Sequence, residues 1–573
     1  MRKKILALGV VFTCLETSLY AGLTPLLDQD SRARPHAGHL GMVVAEEPTA
    51  AAWGAEVLRQ GGNAVDAAVA TAFMLSVTRP NSGSLGGGGF MLYCPSPKNK
   101  KIQDCVVLDY REQAPSRAHS KMYLGADGKA NGDLSSTGAL SIGVPGVVAG
   151  VLTAHEKFGK LSRSKLLKGP IEQARKGIRF TSYLERSAQE RKDDFNATAK
   201  KMFQGKRVGD WIQQPDLAKV LEAIQKDGKK GFYQGWVAQK IVSDIQKSKG
   251  ILSLEDLKNY NIWLRAPLLG SYSGYQIVTT PPPSAGGAMI LQLFKYMELA
   301  DQKKQLSSEY GSAKSIHALA HALSLSFADR AEWFGDPDFT QTPLEQLLNT
   351  SYLEERWKKT FEPKEANTPK GAGLLGKESD HTTHFSVIDQ EGNAVAVTTT
   401  INENYGSAFI PEGTGIFMND EMDDFSIEPG KANIFGLVGK EANSVQPGKR
   451  PLSSMNPTIV RDQDGQNRIV LGAAGGPRIT STVFQILFNR LRYGMSLPDA
   501  MHAGRIHHQW KPDVLKLEKN LFSPEVIEQL GKMGYKLEVV QELAHAHALE
   551  RDPVTGVVWG SADPRGEGDS VPQ

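Results

Sequence analysis

The sequence predicts a protein of the mixed α/β (α+β) class. Helical and strand patterns alternate along the whole chain, without internal repeats or low-complexity blocks. Residues 383–389 alternate in character and residues 394–402 are rich in Val and Thr, as two paired strands are. The 573 residues would fit roughly three to four average domains, although large α/β layers often form one unit. We therefore expect helices packed against extended sheets.

Helices are predicted where apolar residues recur at helical spacing. Residues 50–78 form a helical region, in which Gly61, Gly62 and Asn63 make a C-cap and turn before a second helix that begins near Ala64. Further helices are predicted at residues 147–158, 170–176, 215–226, 235–247, 286–298, 313–330 and 480–492.

The two predicted strands at 383–389 and 394–402 are joined by a loop that sets their register. Residues 390–392 (QEG) read as a three-residue hairpin loop with Gly392 in the left-handed conformation. In that register Thr400 lies directly opposite Thr382, on the same face of the sheet. A four-residue loop would slip the pairing by one residue and separate the two hydroxyls. An ordinary Thr-rich strand is the alternative interpretation of this pattern.

The charge balance argues against nucleic acid as a partner. The chain has 66 Lys and Arg against 63 Asp and Glu, so no broad electrostatic attraction to nucleic acid or acidic membranes is expected. The glycine-rich run at 85–89 (LGGGG) lacks the Lys-Ser/Thr ending of a phosphate loop. We interpret that run as a place where backbones pack closely.

The N-terminus has the pattern of a secretory signal peptide at residues 1–21. Basic residues at 2–4 precede an apolar run at 5–12, and small residues follow at 21–22. Glu16 interrupts the later part of this segment, and no other stretch approaches membrane length. The expected location is the periplasm or the exterior of the cell, without a stable membrane span.

Two cysteines, Cys94 and Cys105, remain after the predicted signal peptide. They lie in two predicted strands, at 90–94 and 105–110, joined by a polar segment. They are too few for a disulfide scaffold and lack paired ligand spacing for zinc, so no metal site is predicted. Either one bridge across a hairpin or two buried free thiols would fit.

Seven sequence blocks, taken together and in order, resemble those of bacterial γ-glutamyltranspeptidases, also called glutathione hydrolases. The resemblance implies the four-layer αββα sandwich of the N-terminal nucleophile hydrolases. The blocks are 61–68 (GGNAVDAA), 85–89 (LGGGG), 109–112 (DYRE), 382–387 (TTHFSV), 419–426 (NDEMDDFS), 450–455 (RPLSSM) and 474–476 (AGG).

The resemblance implies a precursor that cleaves its own backbone between His381 and Thr382. Thr382 would become a new N-terminus, and its α-amine, with a reference pKa near ~8, would serve as the base for its own hydroxyl. Thr400 would hold that hydroxyl in position by a hydrogen bond. A large segment, 22–381, and a small segment, 382–573, would form a heterodimer within one αββα domain. Residues near 363–381, rich in Gly, Lys and Pro, would give the chain the flexibility that cleavage requires.

The resemblance also implies a clamp for the zwitterionic end of a γ-glutamyl group. Arg111 would bind the α-carboxylate through two parallel hydrogen bonds, while Asn402, Glu421 and Asp424 would accept from the α-ammonium. The structural alternative for Arg111 is a salt bridge with Asp109 or Glu112. An acidic run alone is usually a solvated loop.

Two further pairs complete the implied site. Ser453 and Ser454 would share the carboxylate, and the backbone amides of Gly475 and Gly476 would stabilise an oxyanion, although a Gly pair alone favours a tight turn. The implied donors are glutathione and other γ-glutamyl compounds. The acyl group would pass to water or to an amino acid or peptide acceptor, without a metal or organic cofactor.

Residues 429–450 resemble the loop that covers the γ-glutamyl pocket in many bacterial members, with Phe435 at a position often held by an aromatic residue. This loop would favour small peptide donors.

One rival to the γ-glutamyltranspeptidase interpretation is an acylase of the same fold acting on glutaryl-type side chains, which lack the α-amine that Glu421 and Asp424 would bind. A second rival is a non-catalytic secreted relative. A third, a serine protease built on Ser453 or Ser454, would lack the G-x-S-x-G elbow.

Overall fold

The fold is that of a computed structural model, which describes residues 35–97, 104–125, 129–367, 382–431, 433 and 436–573. The predicted signal peptide, His381 and Phe435 lie outside these residues. Residues 368–381 of the segment predicted to be flexible also lie outside them. None of the helices in the described ranges combines the length and the apolar character of a membrane span.

The described strands, in chain order, are β1 His36–Gly38, β2 Met42–Ala45, β3 Gly88–Cys94, β4 Val106–Asp109, β5 Ile178–Arg179, β6 Trp211–Ile212, β7 Trp263–Arg265, β8 Leu268–Tyr272, β9 Tyr275–Thr279, β10 Thr382–Ile388, β11 Ala394–Thr400, β12 Thr458–Arg461, β13 Asn467–Ala474, β14 Ile506–His507, β15 Leu515–Glu518, β16 Leu537–Val540, β17 His545–Arg551, β18 Val558–Ala562 and β19 Asp569–Pro572.

The described α-helices are α1 Pro48–Arg59, α2 Ala64–Thr78, α3 Gly132–Ser136, α4 Val147–Phe158, α5 Arg163–Lys176, α6 Ser182–Arg191, α7 Ala197–Phe203, α8 Pro215–Asp227, α9 Lys230–Tyr233, α10 Gly235–Lys247, α11 Leu254–Asn259, α12 Gly286–Gln302, α13 Ala313–Trp333, α14 Leu344–Leu347, α15 Thr350–Thr360, α16 Arg478–Arg492, α17 Leu497–His502 and α18 Pro524–Lys532.

Two antiparallel seven-stranded sheets form the centre of the molecule. The first sheet has the order β1-β18-β17-β13-β12-β9-β8, and the second has the order β19-β2-β10-β11-β3-β4-β7. The sheets face each other where β13 and β17 pack against β10, and where β13 packs against β11. Small sheets β14-β15-β16 and β5-β6 lie outside this pair.

Each sheet is covered by helices on its outer face. Phe385 and Val387 of β10 belong to the core that includes α1, α2 and α4, whereas Ala394 and Ala396 of β11 belong to the core shared with β13, α12 and α16. On β11 itself, Val395 and Val397 belong to the first of these cores, so alternate strand residues point to opposite layers. The arrangement is a four-layer αββα sandwich, which confirms the predicted fold class.

Most predicted helices agree with the structure to within a few residues, but the prediction for 170–176 is wrong at its start. Helix α5 begins at Arg163 and contains Pro170 in its interior. Proline cannot donate to the carbonyl four residues earlier, Leu166 O. The indole Nε1 of Trp53 donates to that carbonyl instead, at 2.9 Å. This long-range hydrogen bond lets the helix continue through Pro170.

The cysteine pair is a disulfide. Cys94, the last residue of β3, is bonded to Cys105, which directly precedes β4. Of the two open interpretations, the bridge across the hairpin is the one present.

Candidate active site

The hairpin of β10 and β11 has the predicted register. Gly392 adopts φ +87°, and its N–H donates to Asp389 O at 2.9 Å. Thr382 pairs with Thr400 across the strands. The Thr382 hydroxyl donates to the Thr400 hydroxyl at 3.4 Å, so the two side chains meet at the start of the strand.

The glycine-rich run at 85–89 packs closely against the end of β11. A Cβ atom on Gly87 would lie 2.0 Å from Thr400 O, and one on Gly89 would lie 2.3 Å from Thr398 O. Real Cβ atoms do not approach backbone oxygen this closely, so glycine is required. The interpretation of this run as a close backbone approach is confirmed.

A small cavity of about 30 Å³ opens beside the threonine pair. Nine of the residues predicted for the site line it together, which brings distant parts of the chain to one place. The lining residues are Arg111, Arg330, Thr382, Thr400, Asn402, Glu421, Asp424, Leu437, Ser453, Ser454, Met455, Gly476, Pro477 and Ile479.

Arg111 is buried and binds the carboxylates that were predicted to hold the substrate ammonium. Its Nη1 donates to Glu421 Oε1, and its Nη2 donates to Asp424 Oδ2 at 2.5 Å. Glu112 lies 3.5 Å from Nη1. Asp109 does not pair with the Arg111 guanidinium: it accepts from the Arg111 backbone N–H. Thus the cavity contains a compact cluster of opposite charges.

Burial shifts the protonation of this cluster. It raises the pKa of Glu421 well above its ordinary value, although the nearby Arg111 charge opposes the shift. Burial likewise raises the pKa of Glu112 to about 7, again against the effect of Arg111. For Arg111 itself burial would lower the pKa, but Glu421 and Asp424 outweigh it and raise the pKa. The guanidinium therefore stays charged.

Asn402 directly follows the strand and connects the threonine pair to the acidic block. Its φ is +77°, and its backbone N–H donates to the Thr400 hydroxyl at 2.9 Å. Its Nδ2 donates to Asp420 O at 3.1 Å. The Thr400 hydroxyl oxygen thus accepts from both the Asn402 backbone and the Thr382 hydroxyl, while the Asn402 side chain bonds the acidic block.

The two serines differ in their bonding. The Ser453 hydroxyl accepts from the Met455 N–H at 3.1 Å. The Ser454 hydroxyl is buried and has no hydrogen-bond partner among the described residues. A buried hydroxyl without a partner is costly, so Ser454 is suited to bind a ligand that fills the cavity.

Gly475 and Gly476 form the turn that leads into α16. Their φ values are +138° and +55°, conformations that favour glycine. Gly476 lines the cavity, and Gly475 directly precedes it. The helix begins two residues later, at Arg478.

Five residues that line the cavity were not predicted from the sequence: Arg330, Leu437, Met455, Pro477 and Ile479. Met455 and Pro477 directly follow predicted site residues, Ile479 lies three positions after Gly476, and Leu437 belongs to the predicted lid loop. Arg330 lies at the end of a predicted helix and belongs to none of the recognised blocks, so no local signal marked it. Within the described residues, no group of His, Cys, Asp or Glu could hold a metal ion.

A four-layer sandwich with a threonine at the start of a central strand has the fold of the N-terminal nucleophile hydrolases. The chain belongs to the γ-glutamyltranspeptidase family, whose model, described as gamma-glutamyltranspeptidase, matches residues 50–573. The glutathione hydrolase proenzyme of Escherichia coli K12 is 39% identical over 534 residues, covering 92% of this chain and 90% of that protein. The chain is thus an enzyme of this family.

Two solved structures illustrate the range of the fold. Cephalosporin acylase from Bacillus halodurans matches with a TM-score of 0.83 at 25% identity, covering 95% of this chain and 97% of the acylase chain. Gamma-glutamyltranspeptidase from Pseudomonas nitroreducens, complexed with L-DON, matches with a TM-score of 0.53 at 37% identity. It covers 56% of this chain and 93% of that chain.

Proposed function

We propose that the protein hydrolyses glutathione and related γ-glutamyl amides, and transfers the γ-glutamyl group, after cleaving itself between His381 and Thr382. The observation that carries this proposal is the position of the Thr382–Thr400 hydroxyl pair in the same cavity as Arg111, Glu421 and Asp424. A nucleophile and a zwitterion clamp then act on one substrate.

The chemistry begins when the freed α-amine of Thr382 takes the proton of its own hydroxyl. The oxygen attacks the γ-carbonyl carbon, and the amide N–H groups of Gly475 and Gly476 stabilise the oxyanion. The protonated amine donates its proton to the leaving nitrogen as the C–N bond breaks, which leaves a γ-glutamyl ester. Water or an acceptor amine then attacks the ester and restores Thr382.

The clamp sets which donors fit. The α-ammonium of the donor displaces Arg111 from Glu421 and Asp424, and Asn402 adds an amide oxygen as a further acceptor. Arg111 and the two serines then bind the α-carboxylate. A glutaryl group has no α-ammonium and would leave buried carboxylates unpaired, which disfavours it.

The large segment, 22–381, and the small segment, 382–573, stay together as a heterodimer in this proposal. The name proenzyme of the E. coli relative supports processing. So does the Pseudomonas nitroreducens chain, which is matched over most of its length by just over half of this chain. The signal-peptide pattern at 1–21 supports export to the periplasm or beyond.

The test is a paired donor assay on purified protein. We expect release of p-nitroaniline from γ-glutamyl-p-nitroanilide and of glutamate from glutathione, with no release by Thr382→Ala. The acylase alternative, favoured by the structural similarity to cephalosporin acylase, predicts faster release from glutaryl-p-nitroanilide. That result, or equal activity of Thr382→Ala, would contradict the proposal.

A further inference from the structure

Arg330 lies in the cavity but has no role in the proposed clamp. It belongs to the last turn of α13, and 5% of its surface is exposed. It lines both the cavity of the threonine pair and a second cavity of about 320 Å³, which shares Asp424 and Leu437 with the first. The side chain therefore stands at the boundary between the two cavities.

The guanidinium of Arg330 has no anionic partner among the described residues. Its Nε is buried without a hydrogen bond. The acidic residues beside it in sequence are engaged elsewhere, because Asp329 pairs with Arg356 and Glu332 pairs with Lys440. Burial lowers the pKa of Arg330 to about 10, and Asp424 opposes the shift, so the group is charged at neutral pH.

A buried cation without a partner costs free energy unless a ligand supplies the anion. An unpaired cation that is more than nine-tenths buried and lines a substrate cavity therefore indicates an anionic ligand group at that place. The Ser454 hydroxyl, also buried and unpartnered, lines the same cavity.

Arg111 is the opposite case, since all of its N–H donors are in use. A guanidinium has five N–H donors. The acceptors around Arg111 are Pro451 O at 3.2 Å, Glu421, Glu112 at 3.5 Å, Asp424 at 2.5 Å and Leu452 O at 3.4 Å. A carboxylate that binds Arg111 must displace one of these groups, whereas Arg330 can bind a carboxylate without losing a partner.

We propose that Arg330 is a second carboxylate-binding residue of the cavity, which binds the α-carboxylate of a γ-glutamyl donor together with Arg111 and Ser454. The inference rests on the proposed γ-glutamyl specificity. Arg330 then discriminates between donors with a free α-carboxylate and donors in which that group is amidated.

The test compares two ligands that differ only at the α-carboxylate: L-glutamate and L-isoglutamine, its α-amide. Binding of each to the purified protein is measured by calorimetry for wild type, Arg330→Gln and Arg330→Lys. We expect Arg330→Gln to weaken L-glutamate binding by roughly tenfold or more, the usual effect of losing a charge-assisted hydrogen bond, and to leave L-isoglutamine binding nearly unchanged. Arg330→Lys, which keeps the charge, should lie between.

The matched control is Lys314→Gln, which removes an exposed cation from the first turn of the same helix. It should leave both affinities unchanged. Equal losses for the two ligands in Arg330→Gln, or no loss for L-glutamate, would overturn the inference. Binding is measured without turnover, so its result is separate from that of the donor assay. An inactive wild type would contradict the proposed function. The ratio of the affinities for L-glutamate and L-isoglutamine would still decide the role of Arg330.

Discussion

At the scale of single residues, the site is defined by competition for charged partners. Arg111 pairs with Glu421 and Asp424 across the cavity, so in the proposed clamp a donor exchanges these pairs when its ammonium enters. The exchange replaces one set of charge-assisted hydrogen bonds with another. If the proposed clamp is correct, donor affinity depends on how fully the α-carboxylate replaces the acceptors that Arg111 loses, and we expect a donor without that group to bind poorly.

Arg111→Ala should separate self-cleavage from donor binding. The guanidinium contacts the clamp residues but not the Thr382–Thr400 pair, so we expect the variant to cleave itself normally. Donor binding should weaken by roughly a few kcal/mol, because a charge-assisted contact is lost and buried carboxylates remain unpaired. Gel electrophoresis and the KM for γ-glutamyl-p-nitroanilide check the two parts. Robust turnover by Arg111→Ala at the wild-type KM would refute the clamp. The control is Arg117→Ala, which removes an exposed arginine.

At the scale of elements, the position of the nucleophile depends on the fit between β11 and the glycine run. The turn at Gly392 sets the register, and Gly87 lets the backbone approach Thr400. Neither feature contacts a substrate. Both determine where the two hydroxyls meet.

Gly87→Ala should damage the site without changing a site residue. The added Cβ would lie 2.0 Å from Thr400 O and must push the end of β11 away. We expect little or no self-cleavage and a lower melting temperature. Gly132→Ala is the control, because a Cβ there meets nothing within 4 Å. A Gly87→Ala protein that processes and turns over like wild type would show that the close approach is dispensable.

Local patterns predicted the elements well, and long-range contacts explain the remaining differences. The Gly392 turn chemistry was enough to place Thr382 opposite Thr400, because hairpin register is a local property. The start of α5 was not predictable, because Trp53 supplies the hydrogen bond that Pro170 cannot. The pairing of Arg111 with Glu421 joins residues 310 positions apart, and the role of Arg330 depends on burial.

At the scale of the whole molecule, both proposed segments contribute to both sheets. In the second sheet, β10 of the small segment lies next to β2 of the large segment, and β11 lies next to β3. In the first sheet, β12 pairs with β9. Because strands of the two segments are hydrogen-bonded to each other in both sheets, cleavage before Thr382 would leave the sheets intact. The cleaved segments should therefore remain one folded unit.

A buried ion pair joins the two sheets. Glu46 directly follows β2 of the second sheet, and its Oε1 lies 3.6 Å from Nδ1 of His545, the first residue of β17 in the first sheet. Burial alone would raise the pKa of Glu46, but His545 and Arg79 outweigh it and lower the pKa to about 2. Burial would lower the pKa of His545, but Glu46 and Glu542 raise it well above its ordinary value.

His545→Gln should therefore destabilise the protein in a pH-dependent way. A histidine whose pKa is raised by folding contributes stability below its unfolded pKa of about 6.5, and this contribution is lost as pH rises through the folded pKa. We expect a loss of about 3 to 5 kcal/mol near pH 6, as for other broken buried pairs, and a smaller loss at alkaline pH. Thermal unfolding against pH checks this. A loss independent of pH, or one matched by the exposed His39→Gln, would argue against the pair.

Self-cleavage before Thr382 is tested most simply by intact mass measurement with N-terminal sequencing of the purified protein, compared with Thr382→Ala. We expect two segments in the wild type, one of which begins Thr-Thr-His-Phe-Ser, and a single uncut chain in Thr382→Ala. A wild-type chain that stays uncut, or a Thr382→Ala chain that is cut at the same bond, would contradict the assignment of Thr382 as the self-activating nucleophile.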